Sequence, residues 1–547
     1  MNNFAAYADF ESFWAKFSPK TPYGREVHEK QDLFFDAAEL KKIYDQTDAL
    51  LALRKELCGD PSRLSLISHH LKQLPRISEH GQSCLDEIDL FQVKKFLHNY
   101  HGLMDQLPED VRRRFGFQYC SHALEEQLNL GQQSAETFYI ADEYSSELSI
   151  IRAEILQADA GIKKLEEDRR AEIRDKFGFS FEDRAFLLVP KESVKDLASA
   201  SKLMAIDPYD DLAFSVRPLE CVGALTLAEK RQELAQQERI SEEAVLESLS
   251  KLVRAELPNL TAYRQAALAF DLAWARADMA MEHSLIRPKI HKKNHICVQN
   301  GIYIPCQSLC SKHGLPYTPL DATFQAGSAV IYGSNMGGKT VVLQTLAFLQ
   351  LAAQSGLFVP ASRFETRIFN NFHYIGERRG DSDRQTQSGL SGFAIEMQQL
   401  MEAWRSIDAD QDGTLLLMDE FARTTSSTEA EALLTAVLET IAKKTNTIAL
   451  CSTHFHRLPR LPEVRFLRMS GLSQCLELRA ENLEIKATSL GNEAKNSAIN
   501  EIAKHMTYHL LPDDGTQSSD AIAVARMLGV DEKLVDRANF FFQVANP

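Results

Sequence analysis

A chain of 547 residues is too long for one hydrophobic core and implies roughly three or four domains. Its 44% apolar content is that of an ordinary globular protein, while a formal net charge of −15 argues against a broadly basic nucleic-acid binder and leaves room only for a local basic surface. No apolar run reaches the ~18 residues that span a bilayer, the opening residues lack a basic stretch followed by an apolar one, and nine cysteines fit reduced thiols better than a disulfide framework. A cytoplasmic protein with no membrane partner is expected.

Along the chain, Phe4, Tyr7, Phe10, Phe13, Trp14 and Phe17 step by three and four, which suits a short helix docking one aromatic face. Helical spacing then predicts elements over Phe34 to Leu53, Leu64 to Leu74, Ile88 to Met104 and Val111 to Leu130, separated by Gly59-Asp-Pro61 and Leu107-Pro108. Arg112, Arg113 and Arg114 read as a solvated helix face rather than a binding patch. Leu148, Ile151, Ile155, Ala158, Ile162 and Leu165 form a heptad seam, and two further helices are expected from about Thr226 to Leu252 and from Leu260 to His283. These arms flank a segment with strand-like Ala185 to Val189 and Ala213 to Val216, so the pattern is a long coiled hairpin with a small mixed tip. At 1.5 Å per residue, roughly 25 residues would carry that tip about 35 to 40 Å outward.

From about His291 onward strands and helices alternate, as in an α/β domain. His295, Cys297, Cys306, Cys310 and His313 are irregularly spaced, and buried thiols are preferred there to a metal centre. The apolar run Ser328 to Tyr332 leads into Gly333, Ser334, Asn335, Met336, Gly337, Gly338, Lys339 and Thr340, and an apolar helix follows from Val341 to Ala353. In that context the glycines free backbone N–H groups to face a phosphate, and the helix adds its positive end. Lys339 would meet the outer phosphates of ATP and Thr340 would ligate Mg²⁺. The buried strand Thr414 to Met418 delivers Asp419, expected to hold Mg²⁺ through water, and Glu420, expected to orient or deprotonate the attacking water. His454 follows the strand Thr447 to Cys451 and would reach the γ-phosphate from the same sheet edge.

The phosphate loop Tyr332 to Thr340 resembles that of the MutS family, with its Asn-Met-Gly-Gly-Lys core. Val359-Pro-Ala361, Gln387 to Met397, Leu416 to Glu420, Ser452 to His454, Tyr508 to Pro512 and Ala521 to Ala538 resemble successive segments of that family's ATPase region. Upstream, Thr21 to Arg25 is similar to the start of the core, and Ile286-Arg-Pro288 to the join into the ATPase. The resemblance implies a multidomain α plus α/β protein: a helical core and a long coiled lever, followed by an ABC-type P-loop ATPase domain. Its divisions would be an N-terminal segment and helical core over 1–145, an outgoing lever over 146–176, a clamp-like tip over 177–222, returning levers over 223–290 and the ATPase over 291–547. It further implies a Mg²⁺-dependent ATP hydrolase acting as a homodimer, or as a heterodimer with a related chain. In such a dimer Ser391 of one subunit would complete the site of the other.

Three departures bear on what the levers grip. Core-like sequence begins by about residue 20, so a short form lacking the family's mismatch-reading and connector domains is expected, and Phe10-Glu-Ser-Phe13 is read as a chance likeness to the mismatch wedge. The tip carries Arg184, Lys191, Lys195, Lys202 and Arg217 against Glu182, Asp183, Glu192, Asp196, Asp207, Asp210, Asp211 and Glu220. That is an acidic surface, whereas contact with DNA phosphates calls for a basic one. Two glycines of the family's turn after the metal strand are Ala422 and Thr424 here. Two functions stay open: an ATP-dependent DNA clamp of repair or recombination type, and an ATP-driven factor that remodels or reactivates a protein client, such as a cobalamin-dependent aminomutase, without binding DNA.

Overall fold

Thr21 starts a helix by local chemistry: its side-chain oxygen accepts from the Gly24 N–H, and Pro22 occupies the first turn, where its missing N–H costs nothing. The computed structural model describes residues 2–77, 84–132, 134, 136–181, 184–194, 197–333, 337–376, 392–409, 413–423, 426–455, 458–472, 506–513, 522, 525, 526 and 530–545. Internal contacts divide the chain into two units, Met1–Pro61 with Ala269–Pro547, and Ser62–Leu268. Among the described residues no helix is long and apolar enough to cross a membrane.

The N-terminal aromatics form two helices rather than one, α1 (Asn2–Tyr7) and α2 (Phe10–Trp14), because Asp9 turns the backbone with a left-handed φ of 46°. Next come α3 (Pro22–Lys30) and α4 (Ala37–Glu56), the latter starting at Asp36, whose carboxylate caps the Ala38 N–H. This places the start of α4 after Phe34 and Phe35, inside the predicted range.

The second unit holds α5 (Pro61–Gln73), α6 (Glu87–Asp105), α7 (Glu109–Phe115) and α8 (His122–Leu128). One helix was expected over Val111 to Leu130, and two form, since Gly116 adopts φ 76° and closes α7. Helix α9 (Ser146–Phe177) lies antiparallel to the first part of α11 (Val222–Glu282), with α10 (Leu197–Ala200) between them in sequence. Arg152 binds Glu238 and Glu242 at 2.8 and 2.7 Å, and Arg231 binds Asp159 at 2.6 Å, so charge pairs cross the seam beside buried Leu148, Ile151 and Ala158. The two returning helices of the sequence reading are one continuous helix through Pro258. Pro258 removes a backbone donor, yet buried Val253, Leu260 and Tyr263 on either side hold both halves in place.

The tip is a three-stranded antiparallel sheet in the order β1-β3-β2, from β1 (Leu187–Pro190), β2 (Met204–Pro208) and β3 (Ala213–Pro218). Its own small core contains Ile173, Phe181, Val189, Met204 and Val216. Strand β2 escaped the sequence reading because Met204-Ala-Ile-Asp-Pro208 is short and does not alternate.

From Ala269 on, the chain belongs to the first unit again. Strands β4 (Lys289–Ile290), β5 (His295–Gly301) and β6 (Leu320–Gln325) surround α12 (Ile304–Lys312) in sequence. After β7 (Gly327–Tyr332) and α13 (Lys339–Gln354) come β8 (Arg363–Thr366), β9 (Asn371–Ile375) and α14 (Gly392–Ala409). The remaining elements are β10 (Thr414–Asp419), α15 (Ser427–Ala442), β11 (Thr447–Ser452), β12 (Arg465–Leu472), β13 (Met506–Pro512) and α16 (Glu532–Ala545).

Two sheets result. The larger has the order β13-β12-β7-β11-β10-β9, with every neighbour parallel except the antiparallel edge pair β12 and β13. Strands β7 and β11 are buried along their whole length, as expected of parallel strands covered on both faces. Helix α13 is apolar nearly all round and covers one side, with Phe348 meeting Phe13 of α2 at 4.8 Å. The smaller sheet has the order β4-β8-β5-β6.

Candidate functional site

Strand register puts the candidate residues in a row. Asp419 at the end of β10 pairs with Ser452 of β11, and Ser452 pairs in turn with Ile331 of β7. All three strands are parallel, so their carboxyl ends share one edge, where α/β sheets place ligand chemistry. The chain leaves β7 there, turns through Gly333 and enters α13 at Lys339.

That turn needs glycine. Gly338 has φ 83°, and a Cβ on it would come within 3.0 Å of the Tyr508 ring; Gly333 has φ 151°, and a Cβ there would lie 3.1 Å from Met469 Cβ. Gly337 is buried beside them. Ser334, Asn335 and Met336 lie outside the described residues, as does Ser391.

Lys339 is only 4% exposed and donates from Nζ to the Gly333 carbonyl at 2.7 Å. Burial lowers its proton affinity, and Glu420 and Asp419 push it back up. Thr340 donates to Asp419 Oδ1 at 3.2 Å, and the Ser452 hydroxyl donates to the same oxygen. Asp419 Oδ2 accepts from the Tyr7 hydroxyl at 3.4 Å. Burial raises the Asp419 carboxyl above the usual range, while Ser452 and Thr340 pull it down.

Glu420 follows in a left-handed conformation, φ 52°, and its N–H is held by the Ser452 carbonyl at 3.1 Å. Its carboxylate pairs with Arg423 at 3.1 Å and lines the cavity beside Lys339. Ala422 is also left-handed, φ 62°, which is the physical reason a glycine suits this position. Its N–H donates to Glu396 of α14 at 2.8 Å. His454 stands two residues past the Ser452–Asp419 pair, its ring 4.8 Å from Phe455 and its buried Nδ1 without a hydrogen-bond partner among the described residues.

A cavity of about 320 Å³ opens against Lys339, Thr340 and Glu420, walled by Cys306, Cys310, Tyr317, Met469 and Tyr508. Burial and the neighbouring Cys310 push the Cys306 thiol up to about 11, so it stays protonated and unreactive at neutral pH. The donors fit a magnesium nucleotide: hydroxyl and carboxylate oxygens for a hard cation, an ammonium and a helix N-terminus for phosphates, and an aromatic-walled hollow alongside.

The family comparison covers this part of the chain. The model of MutS domain V matches residues 329–544, a span that holds the whole row from β7 to β11. The chain is 27% identical over 417 residues to a protein named endonuclease MutS2 from Shouchella clausii, covering 73% of this chain and 46% of that protein. It is 28% identical over 333 residues to the DNA mismatch repair protein MutS of Bacillus mycoides, covering 57% of this chain and 34% of the other, and 28% identical over 293 residues to that of Lactobacillus delbrueckii. Residues 329–544 belong to the MutS domain V family. The chain spans about half the length, or less, of these relatives.

In this site the sequence reading missed Ser452, Tyr7 and Glu396. Only Ser452 left a signal, as the residue that ends a core strand beside Asp419. Of the irregular His and Cys group, Cys306 and Cys310 line the cavity from α12, while His295 meets His291 and Glu365 instead. Cys297, Cys306 and Cys310 are half-buried rather than buried.

Proposed function

We propose that this chain is a Mg²⁺-dependent ATP hydrolase of the DNA repair and recombination type. The observation that carries the reading is the contact of Thr340 with Asp419 beside buried Lys339, all at the carboxyl edge of one parallel sheet. In this reading the loop from Gly333 to Thr340, including Ser334, Asn335 and Met336, holds the phosphates and Lys339 binds the outermost ones. Thr340 and Asp419 hold Mg²⁺. When bound, that ion neutralises charge on the phosphate oxygens. Glu420 releases Arg423 and takes a proton from, or orients, the attacking water. His454 contacts the terminal phosphate from the β11 side.

The domain would be of the ABC type, with Ser391 of a second subunit completing each site, so that closure of a homodimer or heterodimer depends on the γ-phosphate. Helices α9 and α11 would then act as levers. DNA is the proposed partner because the relatives are named for mismatch repair and for an endonuclease. The acidic tip, three charges negative, favours a second reading in which the levers act on a protein client.

The test is steady-state ATPase activity with and without duplex, mismatched and four-way-junction DNA, together with DNA binding at two salt concentrations. Lys339→Ala should abolish nucleotide binding, and Glu420→Gln should bind ATP and lose turnover. Undiminished hydrolysis in both variants would overturn the site. Stimulation by DNA, with binding that weakens steeply in salt, supports the clamp. Robust hydrolysis indifferent to DNA supports the protein client.

A further inference from the structure

The smaller sheet of the first unit carries a second group of ligating side chains. One ligating atom each from His291, His295 and Glu365 lies within 4.8 Å of the others. Strand register brings them together. Glu365 of β8 pairs with Lys289 of β4 on one side and with Cys297 of β5 on the other. Residues two apart on a strand share a face. His291, two beyond Lys289, and His295, two before Cys297, therefore stand on the face of Glu365. The His291 N–H continues the pairing by donating to the Thr366 carbonyl at 2.9 Å.

Both ring nitrogens of His291 are buried without a well-formed hydrogen bond among the described residues, and the backbone of His291 and of Lys293 lies near the ring. A buried imidazole without a well-formed hydrogen bond is unusual and calls for an explanation. The His295 ring lies 4.2 Å away at 31°. The Glu365 side chain is 12% exposed, and Lys289 and Arg363 both bind its Oε1, at 3.1 and 3.0 Å. Both contacts fall on the same oxygen of the carboxylate.

We propose that His291, His295 and Glu365 form a binding site for a divalent transition-metal ion of the zinc class, which ties β4 and β5 to β8. Two imidazoles with one carboxylate suit Zn²⁺, Co²⁺ or Ni²⁺, whereas Mg²⁺ and Ca²⁺ prefer oxygen ligands alone. Metal–ligand bonds of about 2.1 Å in a tetrahedral site place ligands roughly 3.4 Å apart, so the three groups must draw in by up to about 1.4 Å, within reach of side-chain rotation. The fourth position is left to water.

The test titrates metal-free protein with Co²⁺ and then Zn²⁺, following the visible Co²⁺ spectrum, and checks metal content after dialysis. About one equivalent of Co²⁺, displaced by Zn²⁺, and a higher Tm with Zn²⁺ are expected. His291→Gln and His295→Gln, each confirmed folded by circular dichroism, should lose that equivalent, and Glu365→Gln should weaken it at least tenfold. Cys306→Ser with Cys310→Ser should retain it. No uptake, uptake unchanged in both histidine variants, or uptake lost with the two cysteines would overturn the proposal.

Discussion

The Tyr7 hydroxyl lies 3.4 Å from Asp419 Oδ2 and 3.4 Å from the Thr340 carbonyl, so the N-terminal helix reaches into the candidate nucleotide site. Its ring stacks on Tyr374 at 3.8 Å, and Gln344 of α13 donates to its carbonyl at 3.1 Å. Together with Ser452 and Thr340, this phenol surrounds the Asp419 carboxylate with three hydroxyl groups. Tyr7→Phe keeps the stack and removes the hydroxyl. Stability should fall by no more than about 1 kcal/mol, while the Mg²⁺ concentration needed for half-maximal nucleotide binding shifts several-fold. Calorimetric titration of nucleotide at a series of Mg²⁺ concentrations reads this directly, and an unchanged dependence would make the hydroxyl a bystander.

Asp271 is wholly buried and accepts from the Lys20 N–H, the Thr21 N–H and the Thr21 hydroxyl, at 2.9, 2.9 and 2.7 Å. It fastens the start of α3 to the last part of α11. Asp271→Ala leaves those donors buried without an acceptor and should cost about 3 kcal/mol, with Asp271→Asn milder. Gly24→Ala should destabilise as well, since its Cβ would fall 2.4 Å from Asp271 Oδ2. Urea unfolding measures all three; equal stability of Asp271→Ala and the parent would refute the fastening role.

Glu396 is 7% exposed and holds the Ala422 N–H, two residues beyond Glu420. Glu396→Ala should cost roughly 1 to 3 kcal/mol and lower turnover more than nucleotide affinity, because it loosens the turn that carries Glu420. A fall in affinity with turnover intact would point to a different role.

His373 lies in β9 against Ser406, 3.1 Å away, and burial lowers its proton affinity. Its folded-state pKa is therefore below the unfolded value of about 6.5. The unfolded chain binds the extra proton, so the stability linked to neutral His373 is fully present above about pH 6.5 and is lost as pH falls through the folded value. The difference in urea midpoint between the parent and His373→Gln should shrink from pH 7.5 toward pH 5.5. A constant difference would show that His373 does not titrate on unfolding.

Most of the large sheet was legible because its strands are short, fully apolar runs closed by polar residues: Thr414 to Met418 ends in Asp419, and Thr447 to Cys451 ends in Ser452. The glycine-lysine turn could be placed before a helix for the same reason. Helix ends set by one residue's backbone were not legible in advance. Gly116 broke a predicted helix at φ 76°, Asp9 split another, and Pro258 failed to stop a third because buried neighbours carry it through.

The sequence by itself determined which residues are chemically equipped, namely Lys339, Thr340, Asp419 and Glu420, since charge, hydroxyl and glycine content are local properties. Only the tertiary structure decided which of them meet and what else joins them. Tyr7 lies 412 residues from Asp419 along the chain, and His291 meets Glu365 through a three-strand register. Contacts at such separations follow from strand pairing and core packing, which no local spacing encodes.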